Sequence, residues 1–344
     1  MNDPHPYSRL TPDVVLNSLD ATGLRCDGRL LALNSYENRV YQVGLEEAAN
    51  GKDEHPGGLV VAKFYRPARW SDAQILEEHA FAAELAASEI PVVAPLSFDG
   101  RTLLHAEGFR VAVFARRGGR APELEDPEVL EWLGRFIGRI HAVGATHSFV
   151  TRPRLDIASF GDEPRAFLLA SGLIAPDLVP AWKQAADLAL EGVRAAFERA
   201  GDVGNIRLHG DCHAGNVLWT LATGNSHGGP HFVDLDDARM GPAVQDLWML
   251  VSGDRDTMAR QLGQILRGYE DFAEFDDREL WLVEALRTLR LIHYSAWLAR
   301  RWDDPAFPIA FPWFNTARYW QDRVLELREQ IAAMQEPPLV PAQP

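Results

Sequence analysis

The run His209-Gly210-Asp211-Cys212-His213-Ala214-Gly215-Asn216 gathers a carboxylate, imidazoles and an amide in one short stretch. A second acidic run, Phe232-Val233-Asp234-Leu235-Asp236-Asp237, follows after a hairpin-like segment. Phosphoryl transfer needs a carboxylate that accepts a hydroxyl proton, and hard oxygen ligands that hold magnesium against nucleotide phosphates. Asp211, Asn216 and Asp234 are of those types. Taken singly, Asp, Gly and Asn here are ordinary turn residues, so the weight lies on their combined order. His209 reads as a structural residue beneath the loop. His213 reads equally as a cation near the transferred phosphate or as a loop histidine that only hydrogen-bonds.

The interval from Asp211 to Asn216 equals that between Asp and Asn in the kinase catalytic loop, and Asp234 follows a strand-like run. The whole island resembles the aminoglycoside phosphotransferase and choline kinase superfamily, whose pattern is H-G-D-x-H-x-x-N followed by an aspartate on the next strand. That resemblance implies Asp211 as catalytic base, Asn216 and Asp234 as magnesium ligands, and a supporting role for Asp246 in Gly241-Pro242-Ala243-Val244-Gln245-Asp246. Asp246 read alone is a surface helix residue. Lys63 closes a strand after Val61-Ala62, where a lysine can pair nucleotide phosphates while a helix glutamate holds it. Glu77, Glu78 and Glu84 share that helix, and alignment with the superfamily favours Glu78. No G-x-G-x-x-G precedes Lys63, so Ser35 and backbone N–H groups of Asn34-Ser35-Tyr36-Glu37-Asn38 would cover the phosphates. Adenine is expected on backbone groups near Phe114 to Arg116. Asp236 is a second metal contact or a supporting acceptor. Asp234 is followed by Leu235-Asp236 instead of Phe-Gly, so a flipping-phenylalanine switch is not expected.

Longer runs narrow the resemblance. Leu33 to Gln42, Val61-Ala62-Lys63-Phe64-Tyr65-Arg66-Pro67, Phe232 to Arg239, and Trp302-Asp303-Asp304-Pro305-Ala306-Phe307-Pro308 are similar to bacterial serine/threonine protein kinases of this superfamily. The similarity implies ATP as phosphate donor, Mg2+, a protein Ser/Thr acceptor and a role under envelope and oxidative stress. Three other readings stand beside it. One is a small-molecule kinase for an aminoglycoside, choline, homoserine or sugar, and another is a silent nucleotide-binding scaffold. The third is a metal hydrolase built on His209, Asp211, His213 and His231.

These residues need elements to position them. Val, Leu and Tyr content predicts strands at 29–34, 39–43 and 59–65, with a short helix from Thr11 to Leu19 and a longer one at 73–87 capped by Ser71 or Asp72. The polar run 46–58 reads as a hairpin loop. From Asp126 on, apolar residues at three- and four-residue spacing (Val129, Leu130, Leu133, Phe136, Ile137, Ile140) predict helices, continuing at 180–199, 245–250, 257–269, 278–302 and 317–334. The fold class is α+β: a bilobal, protein-kinase-like fold with a small β-rich N-lobe carrying one long helix and a larger, mainly helical C-lobe. The expected divisions are an N-lobe at 1–115, a C-lobe at 116–335 and a flexible tail at 336–344.

With 344 residues, 47% of them hydrophobic and 24% charged, the chain can bury a large core. A net charge of −15 disfavours nucleic-acid binding. Cys26 and Cys212 are too few for a disulfide framework. The absence of a signal-like start or an apolar span predicts a cytoplasmic protein without membrane attachment, expected to act as a monomer.

Overall fold

The computed structural model describes residues 5–46, 58–221 and 228–342. Contacts divide the chain into one unit of Met1–Ala121 with Val217–Asp236 and another of Pro122–Asn216 with Asp237–Pro344.

In the first unit, β-branched and aromatic residues build five antiparallel strands, β1 (Cys26–Ala32), β2 (Arg39–Leu45), β3 (Leu59–Phe64), β4 (Leu104–Ala106) and β5 (Phe109–Ala115), in the order β1-β2-β3-β5-β4. The central strand β3 pairs Lys63 with Val40 on one side and Ala112 on the other. Alternation along β3 sends Val60, Ala62 and Phe64 into a core with Val15 and Leu19 of helix α1 (Pro12–Asp20). Lys63 therefore points with Tyr65 to the opposite face, where Tyr65 packs with Ile75 of helix α2 (Asp72–Ala87). Ser71 caps α2 through a reciprocal bond with Gln74, which fixes where the helix starts. Residues 47–57 of the expected hairpin loop lie outside the described residues; the strands that flank it pair directly.

In the second unit the leading contact is between α3 (Pro127–Gly144) and α7 (Arg255–Tyr269), and glycines permit it. A Cβ on Gly134 would lie 1.9 Å from the Ile265 carbonyl oxygen, and one on Gly268 would lie 2.0 Å from that of Glu131. With side chains removed, the backbones approach, and Leu133, Ile137 and Ile140 bury the helix face that the periodicity predicts. The remaining helices are α4 (Glu163–Ala170), α5 (Val179–Ala200), α6 (Gln245–Trp248), α8 (Val283–Arg300), α9 (Ala306–Ala310) and α10 (Ala317–Ala333). Three features were not legible in the sequence: a π-helical turn at Ala158–Asp162, the helix α4 that it leads into, and the short α9; the helix expected from 278 starts instead as a 3-10 stretch at Asp277–Leu282 before α8.

Four short strands complete the two units. β6 (Ile206–Leu208) pairs with β9 (Arg239–Gly241) in the second unit, and β7 (Val217–Thr220) pairs with β8 (Gly229–Phe232) in the first. β8 is tied to its own unit by Phe232 N–H donating to Pro91 O at 2.8 Å and Val93 N–H donating to Phe232 O at 3.0 Å. The segment read as a tail has Leu339 buried, Arg255 Nη2 donating to Pro338 O at 2.8 Å and Ala342 N–H donating to Ala259 O at 2.9 Å. Among the described residues no helix is long and apolar enough to cross a membrane.

Gly134→Ala should lower stability by about 1–3 kcal/mol, because the added methyl meets backbone that cannot yield. Chemical denaturation of the variant checks this, and an unchanged midpoint would refute the close approach of α3 and α7.

Candidate active site

Lys63 is buried in the first unit, and its ammonium faces three carboxylates: Asp234 Oδ1 at 3.0 Å, Asp236 Oδ1 at 3.0 Å and Glu78 Oε1 at 3.5 Å. Burial alone would push the Lys63 pKa down, but Asp234, Asp236 and Glu78 outweigh it and hold the pKa well above the ordinary lysine value. The amine is therefore a fixed positive charge. Of the three glutamates considered on α2, Glu78 is the one that reaches it. Glu78 is steadied in turn by Tyr65, whose hydroxyl lies 2.8 Å from His79 Nε2, while His79 Nδ1 meets Thr102 Oγ1 at 2.8 Å.

Asp234 and Asp236 differ in their surroundings. Asp236 is buried and also holds Arg69, so both of its oxygens face cations. Asp234 keeps 52% of its side chain exposed and adopts φ +61°, a left-handed conformation that aspartate tolerates better than most residues. Of the pair, only Asp234 presents open oxygen to a ligand. Ser35 sits in its turn with the hydroxyl donating to Asn38 O at 3.1 Å.

In the second unit the loop after β6 carries Asp211, His213 and Asn216. Gly210 has φ +86°, and a Cβ there would lie 2.1 Å from the Asp237 carbonyl oxygen, so this bend admits only glycine. Asn216 Nδ2 donates to the Asp211 carbonyl at 2.9 Å, which leaves its side-chain oxygen, a hard donor, as the atom for a metal. His213 Nδ1 accepts the Gly215 N–H at 3.0 Å, so Nε2 carries the proton toward Asp211 Oδ2, 3.4 Å away. Arg290 of α8 reaches Asp211 Oδ1 at 2.6 Å. Burial raises the Asp211 pKa, but the His213 hydrogen bond and the Arg290 charge outweigh it and hold the carboxyl below its ordinary value. Arg290 was missed in the sequence, where nothing distinguishes it from the other arginines of its helix.

The loop is held from behind. Asp246 accepts the His209 N–H on Oδ2 and the Gly210 N–H on Oδ1, each at 2.8 Å, while His141 Nε2 of α3 lies 3.1 Å from Oδ2. Gln245 adds a bond from Nε2 to Gly210 O at 3.1 Å. Asp246 is only 1% exposed, which overturns the surface-residue reading. His209 is buried and joins this frame through its backbone. The short α6 that carries Asp246 is preceded by Val244, whose N–H donates to Glu279 Oε2 at 2.7 Å. Among the described residues no three His, Cys, Asp or Glu side chains gather as a metal site, so the hydrolase cluster finds no support. Cys212 is buried, with its thiol pKa pushed up by burial, and is suited to packing rather than reaction.

The sequence pattern of the phosphotransferase enzyme family matches residues 29–283. The chain belongs to that family. This phosphotransferase is 46% identical over 338 residues to stress response kinase A of Escherichia coli (strain K12), with 98% of each chain covered. It is 45% identical over 340 residues, again covering 98% of each, to the serine/threonine protein kinase RdoA of Salmonella typhimurium (strain LT2). Among solved structures, an amicoumacin kinase in complex with AMP-PNP and Ca2+ superposes with a TM-score of 0.68 at 18% identity, covering 94% of this chain and 93% of that one. A microcompartment-associated aminopropanol kinase superposes with a TM-score of 0.67 at 19% identity, covering 94% and 97%. The phosphotransferase has the α+β, protein-kinase-like fold and transfers phosphate to a hydroxyl acceptor.

Burial raises the Glu279 pKa to about 7, partly offset by the Val244 and Ala243 amides it caps. An unfolded chain releases this proton near the ordinary glutamate value, so between those two pH values the folded state binds more protons. Stability of the phosphotransferase should therefore fall by about 3 kcal/mol from this group as pH rises from about 4.5 to 7. The Glu279→Gln variant should lack that slope in denaturant unfolding measured across the range. A slope equal to that of the parent would exclude Glu279 as its source.

Proposed function

We propose that the protein is an ATP- and Mg2+-dependent serine/threonine protein kinase of the bacterial stress response, acting in the cytoplasm as a monomer. The observation that carries the reaction is Asp211, a carboxylate held ionised by His213 and Arg290 on a loop whose backbone cannot drift. An ionised, oriented carboxylate is what a hydroxyl nucleophile needs in order to lose its proton as the phosphoryl group transfers. Full-length identity to proteins named stress response kinase and serine/threonine protein kinase supports a protein acceptor.

In this reading Lys63 steadies the ATP phosphates, Glu78 fixes Lys63, and Ser35 with its turn covers the phosphates. Asn216 and Asp234 would hold a divalent cation, since both offer the oxygen donors that magnesium requires. When bound, that cation would neutralise charge on the nucleotide phosphates. Asp211 orients the acceptor hydroxyl and takes its proton, and His213 keeps Asp211 aimed. Asp236, gripped by Lys63 and Arg69, shapes the turn that presents Asp234.

Asp211→Ala should abolish transfer of labelled phosphate from ATP to serine or threonine of a generic protein substrate, while nucleotide affinity measured by calorimetry stays near that of the parent. Asp234→Ala should instead erase the difference in nucleotide affinity with and without Mg2+. Label appearing in aminoglycosides or choline and in no protein would replace the protein-kinase reading with a small-molecule one. Full activity of either variant would overturn the assigned roles.

A further inference from the structure

The side of α8 that meets the catalytic aspartate is basic and aromatic. Arg290 contacts Asp211 yet keeps 41% of its side chain exposed, so its charge is within reach of a ligand at the surface. Further along the same helix Tyr294 and Trp297 stack at 5.5 Å, and Arg301 lies over the Trp297 ring at 5.4 Å. Arg300 is exposed, rests over the Phe167 ring at 4.8 Å, and among the described residues pairs with no carboxylate. Phe160 of the π-helical turn stacks on His293 of α8 at 4.3 Å, and Arg239 lies over the Phe160 ring at 4.7 Å. The nearby acid, Asp237, is already bound by Arg239 at 2.6 Å. Burial pushes His293 down to about 3, with Arg239, Arg300 and Arg290 adding to it and Asp237 partly offsetting them, so the imidazole is neutral and adds no charge of its own beside the three arginines.

This surface conflicts with a cationic acceptor. A polyamine or quaternary ammonium would meet Arg290 at the base and find the Trp297 face already covered by Arg301. It also departs from the overall charge of −15, which by itself would suit a basic peptide.

We infer that the α8 face, with Arg290 beside the base and Arg300 further along, selects a serine or threonine set in an acidic peptide segment. The inference rests on the protein-kinase reading and names its substrate class. Arg290 and Arg300 are ten residues apart on the helix, about 15 Å. An extended peptide covers that span in roughly four or five residues. Arg290 then faces negative charge adjacent to the acceptor, and Arg300 faces charge about one strand-length of four or five residues away.

The test uses the full chain, ATP with Mg2+, and three serine peptides identical except for flanking Asp/Glu, Ala/Gln or Lys residues. The ranking of kcat/KM should be acidic above neutral above basic, with the acidic peptide favoured over the basic one by roughly fivefold or more and the preference shrinking at high salt. Arg300→Glu should raise KM for the acidic peptide and lower it for the basic one, narrowing or reversing the ranking. Phosphorylation of all three peptides at equal efficiency, or preference for the basic one, overturns this inference and leaves the protein-kinase reading intact. Label in no peptide but in a small hydroxy compound overturns both.

Discussion

A single buried carboxylate fixes the backbone on which the proposed chemistry depends. Asp246 takes two successive amide protons, from His209 and Gly210, with one oxygen each, and receives His141 from α3 as well. Two amide donors that would otherwise be buried without partners thus have them, and leaving such groups unpaired costs about 1–3 kcal/mol each. The bend at Gly210 follows, and with it the direction in which Asp211 leaves the chain. The arrangement extends outward. His141 is placed by the glycine-mediated approach of α3 to α7, and α6 is placed by Glu279, so distant packing reaches the loop through few, specific contacts.

Charge organises the other unit in a similar way. One lysine is surrounded by three carboxylates, and neither side would tolerate burial alone. The pairing holds Asp236 inside and leaves Asp234 at the surface in a left-handed conformation, so two aspartates two positions apart acquire different chemistry from environment alone. Such conformations cost energy, and they persist where neighbouring contacts over-determine them.

The fold was largely legible because hydrophobic period and capping agree with it. The Val, Leu and Tyr content of 59–65 gives the central strand, and of the two cap candidates Ser71 and Asp72 it is Ser71 that starts α2. The π-helical turn and α9 were not legible, since each is too short to show a period and is set by packing against α8 and the aromatic cluster around Phe311. At the site, Asp211, His213, Asn216 and Asp234 are clustered in sequence and could be named from type and spacing, and Lys63 could be named from its place at the end of a strand after Val61-Ala62. Arg290, 79 positions from its partner Asp211, could not, because an ion pair between distant segments leaves no local pattern. The buried role of Glu279 is hidden for the same reason: on paper it is one acid in the run Asp276-Asp277-Arg278-Glu279.

The most direct test is the single-turnover rate of phosphate transfer in Asp246→Asn with ATP and Mg2+ saturating. The amide keeps one accepting oxygen but turns an N–H toward a backbone donor, so the loop must shift while the side-chain size is preserved. The transfer rate should fall by about 100-fold with nucleotide affinity retained, the cost expected when a reacting group is misplaced by about 1 Å. A rate equal to that of the parent would contradict the claim that Asp246 sets the position of the catalytic base.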